Sequence, residues 1–191
     1  TETDLHNVAV LGGQLDQAAA VLPALADMQL SGPTSLTYTT PPLVAPLETV
    51  GPGALDVSLS SSDPYTDVYA VVADVWPDGT AYPVATGALR TLYPDVDQTR
   101  SLTDAQGRVV DPYNLYDTAR PALPGTTREY QVEILPMGNT FGVGHRIRLY
   151  LLGSPLDQMG APPGVNAVSL GGPTPSTLLL PSVNGPPRFA G

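Results

Sequence analysis

Two histidines, His6 and His145, are the only side chains that could supply an imidazole base to a nucleophile. An α/β-hydrolase presents its serine in a G-x-S-x-G turn, and no serine of this sequence has that pattern. Ser154 comes nearest but lacks a glycine at both required positions. His145 ends a glycine-rich turn and begins an apolar segment, so a structural turn residue bonded to nearby backbone is favoured over a catalytic base. We therefore predict no catalytic residue in this chain.

Metal-ligating side chains are equally scarce. The sequence has no cysteine, and its two histidines lie too far apart to form a local zinc motif. Pairs of aspartates could offer oxygens to calcium, but none follows the spacing of a calcium loop, and solvated turns are favoured for all of them. These pairs are Asp63 with Asp67, Asp74 with Asp78, and Asp95 with Asp97. We expect neither a metal nor a cofactor.

The aromatic residues are dominated by tyrosine, with nine tyrosines against two phenylalanines and one tryptophan. Tyrosines on a β-sheet can line a platform for a carbohydrate or another substrate, although they also commonly cover the edges of sandwiches. Four of them stand in or beside predicted loops and are the candidate ligand-facing residues: Tyr65, Tyr69, Tyr113 and Tyr116.

The composition limits the classes of partner. The 191 residues are enough for one domain, and the net charge of −10, with no lysine, disfavours nucleic acid and anionic membranes. No run approaches the roughly 20 apolar residues that a membrane span needs. We expect a chain that is soluble and mature, or a piece of something longer. Secreted and cytoplasmic bacterial locations both stay open, since the lack of cysteine leaves the redox compartment undetermined.

The elements that must position these residues are short strands. Alternating or β-branched segments recur at roughly 8 to 12 residue spacing between glycine- and proline-rich turns, and nothing after residue 33 has a sustained helical period. This pattern predicts an all-β fold, with an antiparallel sandwich favoured over a barrel. The predicted strands are 35–40, 54–60, 68–76, 80–92, 128–135, 145–152 and 176–180, and a long polar insertion loop covers 94–124.

Several motifs together resemble one known family. Leu36 to Gly53, Leu55 to Leu59, and Asp74-Val75-Trp76-Pro77-Asp78-Gly79 resemble the non-catalytic C-terminal domain of X-Pro dipeptidyl-peptidases, cocaine esterase and alpha-amino-acid ester hydrolases. Asn139-Thr140-Phe141 leading to Gly144-His145-Arg146-Ile147-Arg148-Leu149 is similar to a later strand of that domain.

The resemblance implies a jelly-roll, galactose-binding-like β-sandwich that accompanies an α/β-hydrolase domain on the same or a separate chain. In the family this domain packs on the hydrolase domain, helps to wall the active-site cleft and often contributes to oligomer contacts, so a homo-oligomer is also open. The catalytic serine, aspartate and histidine lie outside the matched domain. Gly144, His145 and Arg146 correspond to a structural position at the start of a strand.

We accordingly predict three parts: a leading segment 1–33 that is a short helix or a linker, a jelly-roll sandwich 34–184, and a tail 185–191. Pro23 would kink or divide any helix in the leading segment. Two other functions stay open. One is a stand-alone sandwich that binds carbohydrate or another ligand through its tyrosine loops, and the other is a structural jelly roll of capsid or tail type.

Overall fold

The computed structural model describes residues 35–153, 164–171 and 173–190, and within these ranges the chain forms ten strands and no helix. The predicted short helix or linker at 1–33 lies outside the described residues. None of the described segments could cross a membrane as a helix. The strands in chain order are β1 (Ser35–Thr39), β2 (Leu47–Ser61), β3 (Asp67–Val75), β4 (Ala81–Arg90), β5 (Leu102–Thr103), β6 (Val109–Asp111), β7 (Arg128–Phe141), β8 (Arg146–Leu152), β9 (Asn166–Ser169) and β10 (Thr177–Leu179).

The long strands form two antiparallel sheets. Sheet 1 has the order β1-β8-β3-β4, and sheet 2 has the order β10-β2-β7, with β9 also paired to β2. This arrangement confirms the predicted all-β antiparallel sandwich. The jelly-roll and galactose-binding-like descriptions stay predictions.

One apolar core lies between the two sheets. Alternate residues of each strand point into it, as the period of two in a strand requires. Each large side chain buried there contributes roughly 1.5–3 kcal/mol to folding. Its members include Leu43, Leu55, Val57, Val72, Val132, Ile134, Phe141 and Leu149.

Strand β3 is buried on both of its faces. All nine of its residues are shielded from solvent. One face contributes to the inter-sheet core, and the other joins a second apolar cluster that includes Val71, Ala73 and Tyr150. Burial on both faces explains why this segment is a nearly continuous apolar run and not an alternating pattern.

Strands β2 and β7 are longer than the sequence predicted. The predicted strand 54–60 started only after Gly51-Pro52-Gly53, yet β2 already runs through these three residues by means of a β-bulge. Gly51 pairs with Met137 and Gly53 with Ile134, so Pro52 and Pro136 both fall in the irregular part of the ladder. A proline cannot donate a ladder hydrogen bond, and a bulge is one of the few sheet positions that tolerates it.

The predicted insertion loop at 94–124 is mostly irregular and contains the short β5–β6 hairpin. Asn114 is buried and fastens the loop to sheet 2, because its Nδ2 donates to the Gln131 carbonyl over 2.9 Å. Neither this hairpin nor β9 was predicted, since runs of two to four residues leave no clear period in a sequence.

The last described residues lie against the segment that joins β1 to β2. Leu43 forms a bridge with Phe189, and the Ala190 amide donates to the Pro42 carbonyl over 2.8 Å. Farther back, the Asn184 side chain donates to the Pro46 carbonyl over 3.0 Å. The predicted tail at 185–191 therefore includes residues that are hydrogen-bonded to the sandwich.

A close approach between the sheets gives the first testable prediction. A Cβ at Gly87 on β4 would lie 2.1 Å from the Glu133 carbonyl oxygen on β7, so any larger residue must push the two strands apart. We expect Gly87→Ala to lower the free energy of unfolding by about 1–3 kcal/mol, as overpacking does. Urea denaturation measures this change.

Gly138 on β7 is the matched control, because a Cβ there would meet nothing within 4 Å. Gly138→Ala should leave stability unchanged or raise it slightly, since alanine restricts the unfolded chain more than glycine does. Equal effects of the two substitutions would contradict the assigned close approach.

Candidate functional site

A histidine–aspartate pair closes one end of the sandwich. The Nδ1 atom of His145 lies 2.8 Å from Oδ1 of Asp74, although the two residues are 71 positions apart in the chain. Asp74 lies near the end of β3 and is paired with Ile147 of β8, a core residue, so its carboxylate is on the core side of sheet 1. The pair therefore joins two neighbouring strands at the margin of the apolar core.

Two turns place these side chains. Gly144 has a φ of +81°, a conformation that glycine adopts without strain, and it lets the chain reverse between β7 and β8 just before His145. On the other side, the Gly79 amide donates to the Trp76 carbonyl over 2.9 Å, which closes the turn between β3 and β4. Both turns therefore meet at the same end of sheet 1.

The Asp74 carboxyl is largely buried, with a side-chain exposure of 6%. Burial raises the pKa of Asp74, and the hydrogen bond and charge of His145 lower it part of the way, with smaller contributions from Asn139 and Trp76. A buried carboxylate costs free energy unless it has hydrogen-bond partners. His145 is the principal hydrogen-bond partner that offsets the cost of burying the Asp74 charge.

The rest of the imidazole is enclosed without a nucleophile. The His145 ring packs on Trp76 with centroids 5.3 Å apart, and a Cβ at Gly142 would lie 2.9 Å from Nε2. In the described part of the chain no serine or threonine hydroxyl hydrogen-bonds this ring. An aspartate–histidine pair without a hydroxyl or thiol at the other nitrogen cannot perform triad chemistry. The geometry is structural, and we call the Asp74–His145 pair the clamp.

The neighbouring residues of the motif serve the same junction. The Arg146 Nη1 donates to the Thr40 carbonyl over 3.0 Å, and the Ile147 amide donates to the Thr40 hydroxyl over 3.1 Å. The sequence marked Gly144, His145 and Arg146 as a structural motif but anticipated backbone near the histidine as its partner. The imidazole instead bonds the Asp74 carboxylate, which belongs to the other motif of the family resemblance.

The four candidate tyrosines have different surroundings. Tyr69 is 8% exposed and belongs to the second apolar cluster, so it offers little surface to a ligand. Tyr65 lies beside Arg90, whose guanidinium carbon is 5.8 Å from the ring centroid. Arg90 itself binds Asp67 through two hydrogen bonds, of 2.9 and 3.2 Å.

The other two tyrosines are exposed on the insertion loop. Tyr113 stacks under Arg100, with 3.6 Å between the guanidinium carbon and the ring centroid. Tyr116 contacts Tyr93 edge to face at 5.8 Å, and burial followed by the charge of Glu133 raises its pKa. Tyr65, Tyr113 and Tyr116 thus contact three different side chains, and these contacts do not define one shared platform.

The aspartates of the candidate calcium pairs have separate partners. Asp67 binds Arg90, Asp74 binds His145, and Asp95 binds Arg120 over 2.8 Å. Within the described ranges no group of three or more histidine and acidic side chains could hold a metal ion.

A groove of about 280 Å³ opens between the sheets on the β1 and β10 side. Its lining is mostly apolar and includes Tyr38, Leu55, Leu149, Leu151, Val168 and Leu178. These six side chains also belong to or pack against the inter-sheet core, so the groove is the open margin of that core.

The clamp predicts a measurable coupling. His145→Ala removes the main partner of a buried carboxylate, and we expect a loss of about 1–3 kcal/mol in the free energy of unfolding. Adding Asp74→Asn to this variant should recover part of the loss, because it removes the unpaired charge. A double-mutant cycle by chemical denaturation measures the coupling, and purely additive effects would rule out the clamp.

The pH dependence of the same variants follows from the direction of the Asp74 pKa. A carboxyl whose pKa is higher in the folded than in the unfolded state stabilises the fold at low pH, and this contribution is lost as pH rises through the folded value. His145 lowers the pKa of Asp74, so its removal strengthens the effect. As the pH falls from neutral towards the ordinary titration range of a carboxyl, His145→Ala should therefore gain stability relative to His145→Ala/Asp74→Asn. A pH-independent difference between these two variants would argue against a buried Asp74 charge.

Known proteins share both the sequence pattern and the fold. The chain is 30% identical over 133 residues to the Mycobacterium bovis protein named "Putative serine esterase Mb1866c", a match that covers 68% of this chain and 20% of that protein. This chain thus corresponds to about a fifth of the length of that curated relative.

Two solved structures have the same fold at low identity. A CocE/NonD family hydrolase from Staphylococcus aureus matches with a TM-score of 0.69 and 20% identity, over 78% of this chain and 30% of that one. An alpha-amino acid ester hydrolase matches with a TM-score of 0.63 and 20% identity, over 78% of this chain and 26% of the other.

The match to a family covers most of the sequence. Residues 8–177 match the family described as the X-Pro dipeptidyl-peptidase C-terminal non-catalytic domain, which confirms the resemblance seen in the motifs around Asp74 and His145. The chain belongs to this family of C-terminal non-catalytic domains.

Proposed function

We propose that this chain is the accessory domain of a serine hydrolase of the dipeptidyl-peptidase or ester hydrolase type. It packs on an α/β-hydrolase domain, helps to wall the active-site cleft and supports oligomer contacts. The hydrolase domain is part of the same polypeptide or a separate chain. The observation that carries this proposal is the family match over residues 8–177.

The geometry of the clamp supports a role without turnover. The Asp74–His145 pair has the residue types of a catalytic dyad, but its imidazole lies between Trp76 and Gly142 and has no hydroxyl partner within the described ranges. A structural hydrogen bond that joins the end of β3 to the start of β8 explains the pair without any reaction.

The lengths of the relatives support the same role. The match covers 20% of the mycobacterial relative and 30% of the staphylococcal hydrolase, so most of each protein lies outside it. A domain that corresponds to so small a part of the length of a hydrolase is suited to support an active site that another domain supplies. The stand-alone ligand-binding sandwich has less support, because the contacts of the tyrosines do not define one platform.

The test compares this chain with the hydrolase domain encoded together with it. We expect the chain alone to hydrolyse p-nitrophenyl esters and Ala-Pro anilides at the buffer rate and to resist labelling by fluorophosphonates, since a G-x-S-x-G nucleophile is absent from its sequence. The polypeptide with the hydrolase domain should be labelled in that domain.

Labelling of a serine in this chain would contradict the proposal. Saturable binding of a sugar by the isolated chain, lost in Tyr113→Ala, would transfer support to the ligand-binding alternative. Large symmetric assemblies of the chain alone in light scattering would favour the structural jelly roll.

A further inference from the structure

Four large apolar side chains are exposed at the end of the sandwich that the clamp closes. Val44, Trp76, Val143 and Phe189 have relative exposures of 51%, 45%, 60% and 36%. We call these four residues the end patch. Single exposed apolar residues are ordinary on protein surfaces, whereas a group of them at one place indicates an interaction site.

Backbone contacts hold the members of the end patch together. The Val44 amide donates to the Arg188 carbonyl over 2.8 Å, next to Phe189. The Gly144 amide donates to the Leu43 carbonyl over 2.8 Å, which joins the segment of Val44 to the turn that contains Val143. A Cβ at Gly144 would lie 3.4 Å from Pro77, the residue after Trp76. Three loops and the C-terminal segment therefore meet here.

Neighbouring rings hold the Trp76 side chain in place, although the residue is partly exposed to solvent. Its ring lies 5.1 Å from Tyr82 and 5.3 Å from His145, centroid to centroid. Because His145 is itself bonded to Asp74, the indole rests on the clamp. A large aromatic ring that is already ordered loses little conformational freedom on binding, which is why tryptophan is common among the residues that dominate interfaces.

Two arginines beside the end patch are available to a partner. Arg188 adjoins Phe189, and Arg146 follows the His145 turn; both are exposed, and neither forms an ion pair with a carboxylate in the part of the chain that the structure describes. By contrast, Arg90, Arg108 and Arg120 each bind an aspartate. Asp78 adds a negative charge in the neighbouring turn and is engaged by the Thr80 amide at 2.9 Å.

We propose that the end patch is the surface through which this chain docks on the α/β-hydrolase domain, with carboxylates of that domain facing Arg146 and Arg188. The inference rests on the proposed function and assigns the residues of its interface. The mycobacterial relative is about five times as long as the matched region, so a partner surface is available in proteins of this kind. Apolar contacts ringed by paired charges are the usual composition of such interfaces.

The test uses the fluorescence of Trp76, the only tryptophan of the chain. The probe is the hydrolase domain encoded together with this chain, purified separately and, for the fluorescence measurement, carrying Phe in place of its own tryptophans. Binding should shift the emission of Trp76 to shorter wavelength, because its exposed edge leaves water. Val143→Glu and Val44→Glu should each weaken binding at least about tenfold in calorimetry. Arg188→Glu should weaken it as well and reduce its dependence on salt.

Leu123→Glu is the matched control, since Leu123 is 77% exposed and its neighbour Ala122 donates to the Pro64 carbonyl, before the start of β3 and at the opposite end from Trp76. This variant should bind like the wild type. Unchanged thermal unfolding of all four variants shows that lost binding is not lost folding.

The outcomes separate the two proposals. The end patch is not the interface if all three of its variants bind the hydrolase domain with wild-type affinity: Val143→Glu, Val44→Glu and Arg188→Glu. The accessory role would still stand. No association between the wild-type chain and the hydrolase domain would overturn both the end patch and the packing role. Binding that is lost in Leu123→Glu alone would place the interface on the insertion loop.

Discussion

The Asp74–His145 pair is the interaction on which this end of the molecule depends. It puts a carboxylate at the margin of an apolar core, where an unpaired charge would cost several kcal/mol. The imidazole that satisfies the carboxylate also packs on Trp76, and His145 immediately precedes β8. One polar contact thus fixes the ends of β3 and β8 and the turns beside them. Removal of either residue would leave the other without its partner and would destabilise the fold. The two residues therefore act as a unit.

The rest of the sandwich provides the rigid frame that keeps the pair in register. β3 is buried on both faces, and its pairing with β8 puts Asp74 opposite Ile147. On the other sheet, the bulge between Gly51 and Gly53 lets β2 and β7 remain paired past two prolines as far as Phe141, just before the turn that leads to His145. The geometry at the clamp therefore depends on the pairing of β3 with β8 and of β2 with β7.

This construction suits a domain that supplies shape and surface and leaves the chemistry to another domain. Its histidine and several of its tyrosines have structural roles, since His145 binds Asp74, Tyr65 and Tyr113 pack on arginines, and Tyr116 packs on Tyr93. The features that remain exposed are apolar side chains and arginines without ion pairs in the described ranges, and these are suited to recognition of another protein surface. The matched family of non-catalytic domains agrees with this division of labour.

The sequence alone determined the strand-rich class, the missing nucleophile elbow and the family, because strand periodicity, turn residues and short motifs are local properties of the chain. It correctly predicted β3, β4 and β8 but began β2 too late and ended β7 too early, since glycine and proline break a strand unless a bulge accommodates them. It marked Asp74 and His145 in separate motifs without joining them. Only the tertiary structure decided that contact, along with the Gly87–Glu133 approach and the grouping of Val44, Trp76, Val143 and Phe189. Each of these depends on the register of strands far apart in sequence, and register is set by the packing of the whole core.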